Sequence, residues 1–115
     1  MMYLPGYGSN MGKRYKIKIT PAARDDIEQI FNYISVTLHS PQAAQRLMDE
    51  IEQAVELLGS FPLSHPFCAD EMLQKRAYRK LVVMSYVILY FVDECKENII
   101  IARAFSGSQN YKYYI

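Results

Sequence analysis

Four cationic side chains lie directly before the most apolar segment of the chain. Lys75, Arg76, Arg79 and Lys80 fall within six consecutive positions, and residues 81–92 that follow are almost entirely apolar. Cations at this spacing could hold a phosphate or another anionic group. The alternative is that they mark the solvated end of a strand, and the residue types alone leave both interpretations open.

Arg103 is a further candidate because it lies inside the apolar stretch NIIIARAF, residues 98–105. Strand alternation would place it on the same side as Ile99, Ile101 and Phe105. A cation among such neighbours is costly unless it is paired or reaches a functional surface. Both roles stay open for Arg103. For Arg79 the structural alternative to a functional role is an ion pair with the acidic residues of the helix predicted over residues 21–38.

The cysteines and histidines do not form a metal-binding or disulfide pattern. The chain has two of each, and His65 and Cys68 form the one closely spaced pair. A closed zinc site would require all four to converge. We therefore expect free thiols, no metal site and no cofactor.

Size and charge limit the function further. A chain of 115 residues is one domain, and a formal net charge of +1 is low for a protein that binds nucleic acid mainly by neutralising phosphates. No apolar stretch reaches membrane-spanning length. We expect a flexible leader over residues 1–14, a single domain over residues 15–115 and a cytoplasmic location.

The N-terminal half has the periodicity of one strand and two helices. Residues 15–20 alternate apolar and basic side chains, which predicts a strand with one solvated face. Thr20-Pro21 and Ser40-Pro41 are both typical of helix starts. Helices are therefore predicted over residues 21–38 and 41–59, joined as an antiparallel hairpin.

The C-terminal half predicts three strands in an antiparallel meander. Residues 60–72 are expected to form a loop, and strands are expected over 76–83, 85–92 and 98–105. The fold class is then α+β with the order β-αα-βββ, an antiparallel sheet packed against the helical hairpin. The other sheet face should be partly open and should carry the functional surface.

Several phrases at these spacings resemble the RelE/ParE superfamily, the toxins of bacterial type II toxin–antitoxin modules. They are ITPAARDDIEQIFNYI, SPQAAQRLMDEIEQAVELLGSFP, YRKLVVMSYVILYFVDE and IIIARAFSGSQNY, and the resemblance covers residues 15–111. It implies a cognate antitoxin that wraps and silences the toxin. It also implies one of two actions, namely RelE-like cleavage of mRNA on the ribosome or ParE-like inhibition of DNA gyrase.

The resemblance is weaker at the positions that RNA cleavage uses. Lys80 matches a functional lysine of nuclease members, but Tyr78 and Val87 stand where such members often have cations. Near the C-terminus, Arg103, Gly107 and Tyr111 match the family pattern. Ser106 stands at a His/Tyr position, and the basic pair and acid that usually follow are replaced by SQN, residues 108–110.

Three sets of site residues follow from the resemblance. For a metal-independent nuclease the catalytic set is Arg79, Lys80, Arg103 and Tyr111. The expected target-binding residues are Lys75, Arg76, Tyr78 and Ser106. The expected antitoxin-binding residues on the helical hairpin are Phe31, Tyr33, Ile34, Met48 and Ile51.

The departures from the nuclease pattern and the low net charge favour ParE-like inhibition of DNA gyrase. A ribosome-dependent mRNA endonuclease is the first alternative. A non-toxic module that still binds an antitoxin is the second.

Overall fold

The computed structural model describes residues 14–107, which form a four-stranded sheet with two long helices on one face. The elements in chain order are β1 (Lys16–Ile19), α1 (Pro21–Asn32), a π-helical turn (Tyr33–Thr37), α2 (Pro41–Ser60), α3 (Glu71–Lys75), β2 (Arg79–Val83), β3 (Tyr86–Asp93) and β4 (Asn98–Ser106). The predicted α+β class is confirmed. Of the predicted leader, Arg14 alone falls within the described residues.

The sheet has the strand order β1-β4-β3-β2. Strands β2, β3 and β4 form the predicted antiparallel meander, and Met84 at the β2–β3 turn adopts a positive φ of 56°. β1 pairs with β4 and runs parallel to it, so the expectation of an entirely antiparallel sheet was wrong at this edge. The reason is that the connection through α1 and α2 carries the chain from β1 at one edge of the sheet to β2 at the opposite edge. The meander then returns and places β4 beside β1 in the same direction.

The first helix begins as the sequence predicts. The Thr20 hydroxyl accepts a hydrogen bond from the Ala23 N–H at 3.0 Å, and Pro21 occupies the first helical position. The helix predicted over residues 21–38 corresponds to α1 together with the π-helical turn. In that turn about one extra residue per turn widens the helix. The first turn of α1 contains no acidic residue, and Asp26 lies beyond it.

The main core lies between the helices and one face of the sheet, called here the helix face. Its sheet residues are Leu81, Val83, Ile88, Tyr90, Ile99, Ile101 and Ala104, and its helix residues include Ala23, Ile34, Ala44, Leu47, Ile51 and Leu58. Each of the larger aliphatic side chains stabilises the fold by about 1.5–3 kcal/mol through burial. The Tyr90 hydroxyl is satisfied because it donates to the Pro62 carbonyl at 3.2 Å.

The opposite face of the sheet, called here the second face, is partly covered. Val87, Leu89 and Phe105 are buried there beneath Cys68 and Leu73. Cys68 belongs to the long loop after α2, and Leu73 belongs to α3. The sequence did not predict α3, because residues 71–72 were assigned to the loop and residues 73–75 to no element. At five residues α3 is too short to show a periodic apolar pattern, although Asp70 caps it through the Leu73 N–H.

Within residues 14–107, none of the helices combines the length and the apolar character that crossing a membrane would require.

The two helix starts provide a matched test of the cap at Thr20. We expect Thr20→Ala to lower the free energy of unfolding by about 1–2 kcal/mol, because it removes the hydroxyl that caps α1 and that also donates to the Ala102 carbonyl. Chemical denaturation monitored by circular dichroism measures this change.

Ser40→Ala is the control, because the Ser40 side chain makes no capping hydrogen bond to α2. Its effect should stay below about 0.5 kcal/mol. Equal losses for the two variants would contradict the assignment of the cap to Thr20.

Candidate functional site

A β-bulge in β4 sets the direction of Arg103. Leu89 pairs with Arg103 while Tyr90 pairs with Ile101, so Ala102 is an extra residue with no partner on β3. The expectation that Arg103 lies on the same side as Ile99 and Ile101 was therefore wrong, whereas its shared side with Phe105 holds. Ile99 and Ile101 belong to the helix-face core, whereas Phe105 belongs to the second face, because the extra residue reverses the alternation between them.

Arg103 turns to the edge of the sheet and binds Asp26 of α1. The Arg103 Nε donates to Asp26 Oδ2 at 2.7 Å, and the Arg103 Nη2 donates to Asp26 Oδ1 at 3.0 Å. The Ala104 backbone N–H also donates to Asp26 Oδ2, at 3.0 Å. One carboxylate therefore satisfies both a guanidinium and a backbone group of β4.

This pair is partly shielded from water. The side-chain exposure is 25% for Arg103 and 13% for Asp26, and the guanidinium lies 4.8 Å from the centre of the Phe105 ring. The hydrogen bond to Asp26 raises the pKa of Arg103 above its already high value. The guanidinium therefore stays charged and cannot serve as a general base.

Arg79 lies on the other face of the sheet and also has structural contacts. Its Nη1 donates to the His65 carbonyl at 2.6 Å, and its guanidinium lies 4.0 Å from the centre of the Phe67 ring. These contacts hold the long loop against the outer edge of β2, where Phe67 forms a bridge with Arg79. The predicted ion pair between Arg79 and the first helix is not formed, and Arg103 makes that ion pair instead.

Lys80 lies in one row of the second face with Leu89 and Arg103, which are its neighbours across β3 and β4. Arg79 is one residue away and so faces the opposite side, as the alternation predicts. Of the predicted catalytic set, the structure thus brings Lys80 and Arg103 to one row and separates Arg79 from them. Tyr111 lies outside the described residues.

The second face is apolar beside this row. Val87 is buried at 6% exposure, and Cys68 and Leu73 cover it. Burial raises the pKa of the Cys68 thiol, although the positive charge of Lys80 opposes this effect. The thiol therefore stays protonated near neutral pH and is a weak nucleophile.

The predicted target-binding residues do not converge on one point. Lys75 and Arg76 are exposed at the end of α3. The strand predicted to begin at residue 76 begins at Arg79, so Arg76 lies outside it. Tyr78 is half-buried and its ring packs edge-on against Phe91, with centroids 5.7 Å apart. Ser106 lies at the far end of β4, beside a groove.

That groove is a cavity of about 500 Å³ between α1 and the end of β4. Tyr33 and Tyr86 contribute aromatic rings to its wall, and Asp26, Gln29 and Arg103 contribute polar groups. The predicted residues Tyr33, Arg103 and Ser106 all line this cavity.

The predicted antitoxin-binding residues differ in their exposure. Tyr33 is 53% exposed, and Phe31 and Met48 are half-buried against the core. Ile34 and Ile51 are 8% and 6% exposed and belong to the core, and their role as antitoxin anchors stays a prediction. Both lie on the helix stripes that the sheet buries.

Among residues 14–107, no group of three or more His, Cys, Asp or Glu side chains is arranged to hold a metal ion. Cys68 is buried and Cys95 is exposed, and both are free thiols.

Sequence reasoning missed Asp26 and the bulge at Ala102. The signal for Asp26 was present, because a cation within an apolar strand requires a partner and the first helix is rich in acids. No pattern in the sequence indicated the bulge, because alanine is compatible with either face of a strand.

Comparison with known proteins agrees with this architecture. The family model described as the ParE toxin of the type II toxin–antitoxin system, parDE, matches residues 17–111. No curated protein matches the chain.

Two solved structures share the fold at low sequence identity. A chain of the chromosomal ParDE system from P. aeruginosa is 19% identical and superposes with a TM-score of 0.66, covering 81% of this chain and 96% of that chain. A chain of the toxin–antitoxin complex RelBE2 from Mycobacterium tuberculosis is 19% identical with a TM-score of 0.57, covering 81% of this chain and 98% of that chain. Because the family model spans most of the sequence, the chain belongs to the ParE toxin family of type II toxin–antitoxin systems, within the RelE/ParE superfamily.

Proposed function

We propose that this toxin inhibits bacterial growth by binding DNA gyrase and that a cognate antitoxin neutralises it. The observation that carries the choice of gyrase is the composition of the second face. Val87 stands where nuclease members often have a cation, and it is buried in an apolar cluster with Leu89 and Phe105.

Electrostatics support inhibition by binding. RNA cleavage requires positive groups that stabilise charge as it develops on the phosphate. The Arg103 guanidinium is already neutralised by Asp26, and the Arg79 guanidinium is held by the His65 carbonyl on the other side of the sheet. A protein that acts by occupying a surface of its target needs no such groups.

The end of the helical hairpin is the surface that we assign to the antitoxin. Tyr33, Val36 and Leu38 are 53%, 66% and 52% exposed and lie in or beside the π-helical turn. Exposed apolar residues at helical spacing are suitable anchors for an amphipathic or wrapped segment. Phe31 of α1 and Met48 of α2 lie on the same hairpin and would extend the contact with the antitoxin.

The mRNA endonuclease remains the second candidate because one observation favours it. Lys80 and Arg103 lie in the same row of the second face, with Leu89 between them. The backbones of these two residues are about 10 Å apart, since adjacent strands are about 4.8 Å apart, and long cationic side chains attached at that spacing could contact neighbouring phosphates.

Induction of the chain alone in bacteria tests the choice between these functions. We expect DNA synthesis to stop before protein synthesis, together with induction of the DNA-damage response, because an inhibited gyrase blocks replication first. Pulse labelling with thymidine and with methionine measures the two rates, and supercoiling by purified gyrase measures inhibition directly.

Co-expression of the small protein encoded beside the toxin gene is the control and should restore growth. Early loss of protein synthesis with cleaved mRNA would instead support the endonuclease. Normal growth at verified expression of folded protein would support a non-toxic antitoxin-binding module.

Arg103→Met tests whether the guanidinium serves the fold or the chemistry. We expect the free energy of unfolding to fall by about 1–3 kcal/mol, because Asp26 would keep a largely buried charge with one partner removed. At a temperature at which the variant is folded, its inhibition of gyrase should equal that of the original chain.

Arg24→Met is the matched control, since Arg24 is an exposed cation on the same helix α1 as Asp26. It should leave stability within about 0.5 kcal/mol of the original value. A folded Arg103→Met variant that loses RNA cleavage or translation arrest would contradict the structural role of Arg103.

A further inference from the structure

An exposed apolar segment lies at the end of α2 and has no part in the groove between α1 and β4. Leu57, Phe61, Leu63 and Phe67 are between 42% and 62% exposed. They belong to residues 57–67, called here the apolar segment, which contain no Lys, Arg, Asp or Glu. Large apolar side chains concentrated on one exposed surface are typical of an interaction site.

The sheet holds the apolar segment in place. The Tyr90 hydroxyl donates to the Pro62 carbonyl at 3.2 Å, and the Lys80 backbone N–H donates to the Pro66 carbonyl at 3.0 Å. The Arg79 guanidinium provides a third link to the same segment. The two prolines also restrict the backbone φ angles. The exposed side chains are therefore presented by an ordered backbone, which lowers the entropy cost of binding a partner.

The exposed side of α2 that leads to the apolar segment is acidic. Four carboxylate side chains are exposed there, namely those of Asp49, Glu50, Glu52 and Glu56. Residues 49–67 contain no Lys or Arg. Arg14 forms a salt bridge with Glu56 at 3.3 Å, and that pair is itself exposed. The apolar segment is thus bordered by negative charge.

We propose that the apolar segment contacts the protein surface of DNA gyrase, at an apolar hollow bordered by basic residues. This inference rests on the proposed function and names the surface of the toxin through which inhibition acts. Phe61 and Leu63 fill the hollow, because a few large apolar side chains at the centre of an interface carry most of its binding energy. The acids of α2 face the basic border and orient the complex.

Charge argues against the other occupants of this surface. Nucleic acid and an acidic protein segment would both be repelled by the carboxylates of α2. A second copy of this chain, docked about a two-fold axis, would present the same patch, with acids where basic residues are required.

The apolar segment is also distant from the surface assigned to the antitoxin. Val36 and Leu38 precede α2, and the apolar segment lies at its other end. The 20 residues of α2 span about 30 Å at the usual rise of an α-helix. Substitutions at one end should therefore leave the other surface intact.

The double variant Phe61→Ser and Leu63→Ser tests the inference with the purified full chain. Half-maximal inhibition of supercoiling by purified gyrase should require at least about tenfold more of this variant, because two anchors of the contact are lost. Its affinity for the small protein encoded beside the toxin gene should stay within about twofold of the original value, because distant sites act independently. Calorimetry measures that affinity.

The matched control is Met72→Ser with Val82→Thr. These side chains are 60% and 55% exposed and lie on α3 and β2, outside the apolar segment. The control should inhibit gyrase as the original chain does. Circular dichroism establishes that both double variants are folded.

A charge reversal provides a second measurement that leaves the apolar segment unchanged. Glu52→Lys should weaken inhibition about threefold or more at low salt and by less at high salt, because salt screens the contact with the basic border. Glu28→Lys is its control, since it makes the same change in net charge at an exposed position of α1. That control should inhibit gyrase as the original chain does.

Equal inhibition by the original chain and by the Phe61→Ser, Leu63→Ser variant would overturn this inference and leave the proposed function standing. Absence of inhibition by the original chain would overturn both. Loss of inhibition in the Met72→Ser, Val82→Thr control alone would place the contact on the second face instead. A dimer of the original chain in light scattering, abolished by the Phe61→Ser, Leu63→Ser variant, would identify a second copy as the occupant and likewise overturn the inference.

Discussion

The structure depends on how the outer edge of β4 is satisfied after its parallel neighbour ends. β1 pairs with β4 only as far as Ile101, and Ala102 and Ala104 beyond that point are buried. Side chains take the place of a strand there, because the Thr20 hydroxyl donates to the Ala102 carbonyl and the Asp26 carboxylate accepts the Ala104 N–H. Buried backbone groups without partners would cost about 1–3 kcal/mol each, so these contacts fix α1 against the sheet.

The same contacts determine what kind of surface the toxin presents. Asp26 also holds the Arg103 guanidinium, which removes a cation from the set that could act on a phosphate. The long loop and α3 then cover part of the second face with Cys68 and Leu73. Together these features favour recognition through shape and apolar contact, and they leave little of the charge that phosphate chemistry requires.

Much of the fold could be predicted because periodicity and cap residues act locally. The apolar stripes of α1 and α2, the Thr20 cap and the short turn between β2 and β3 each require only neighbouring residues. The parallel placement of β1 beside β4 and the cover formed by α3 depend on contacts between distant parts of the chain, which local patterns do not contain.

The candidate site was harder to predict than the fold because burial decided it. Lys80 and Arg103 were identified as cations, but the partner of Arg103 is far away in sequence, at Asp26. Ile34 and Ile51 were named as antitoxin-binding residues, yet the sheet buries them as part of the apolar stripes. Residue type gave the chemistry that was available, and the packing of α1 against β4 decided where that chemistry could act.

The bulge at Ala102 has a consequence for how relatives of this chain can diverge. If Ala102 were paired residue for residue, without the bulge, Arg103 would turn onto the helix face with Ile99 and Ile101. Loss of Ala102 would instead remove the carbonyl that accepts a hydrogen bond from the Thr20 hydroxyl. The segment between Ile101 and Arg103 should therefore resist insertions and deletions through evolution. Alignments of homologues are expected to place their gaps in the connection between α2 and β2, where added length leaves the strand pairing undisturbed.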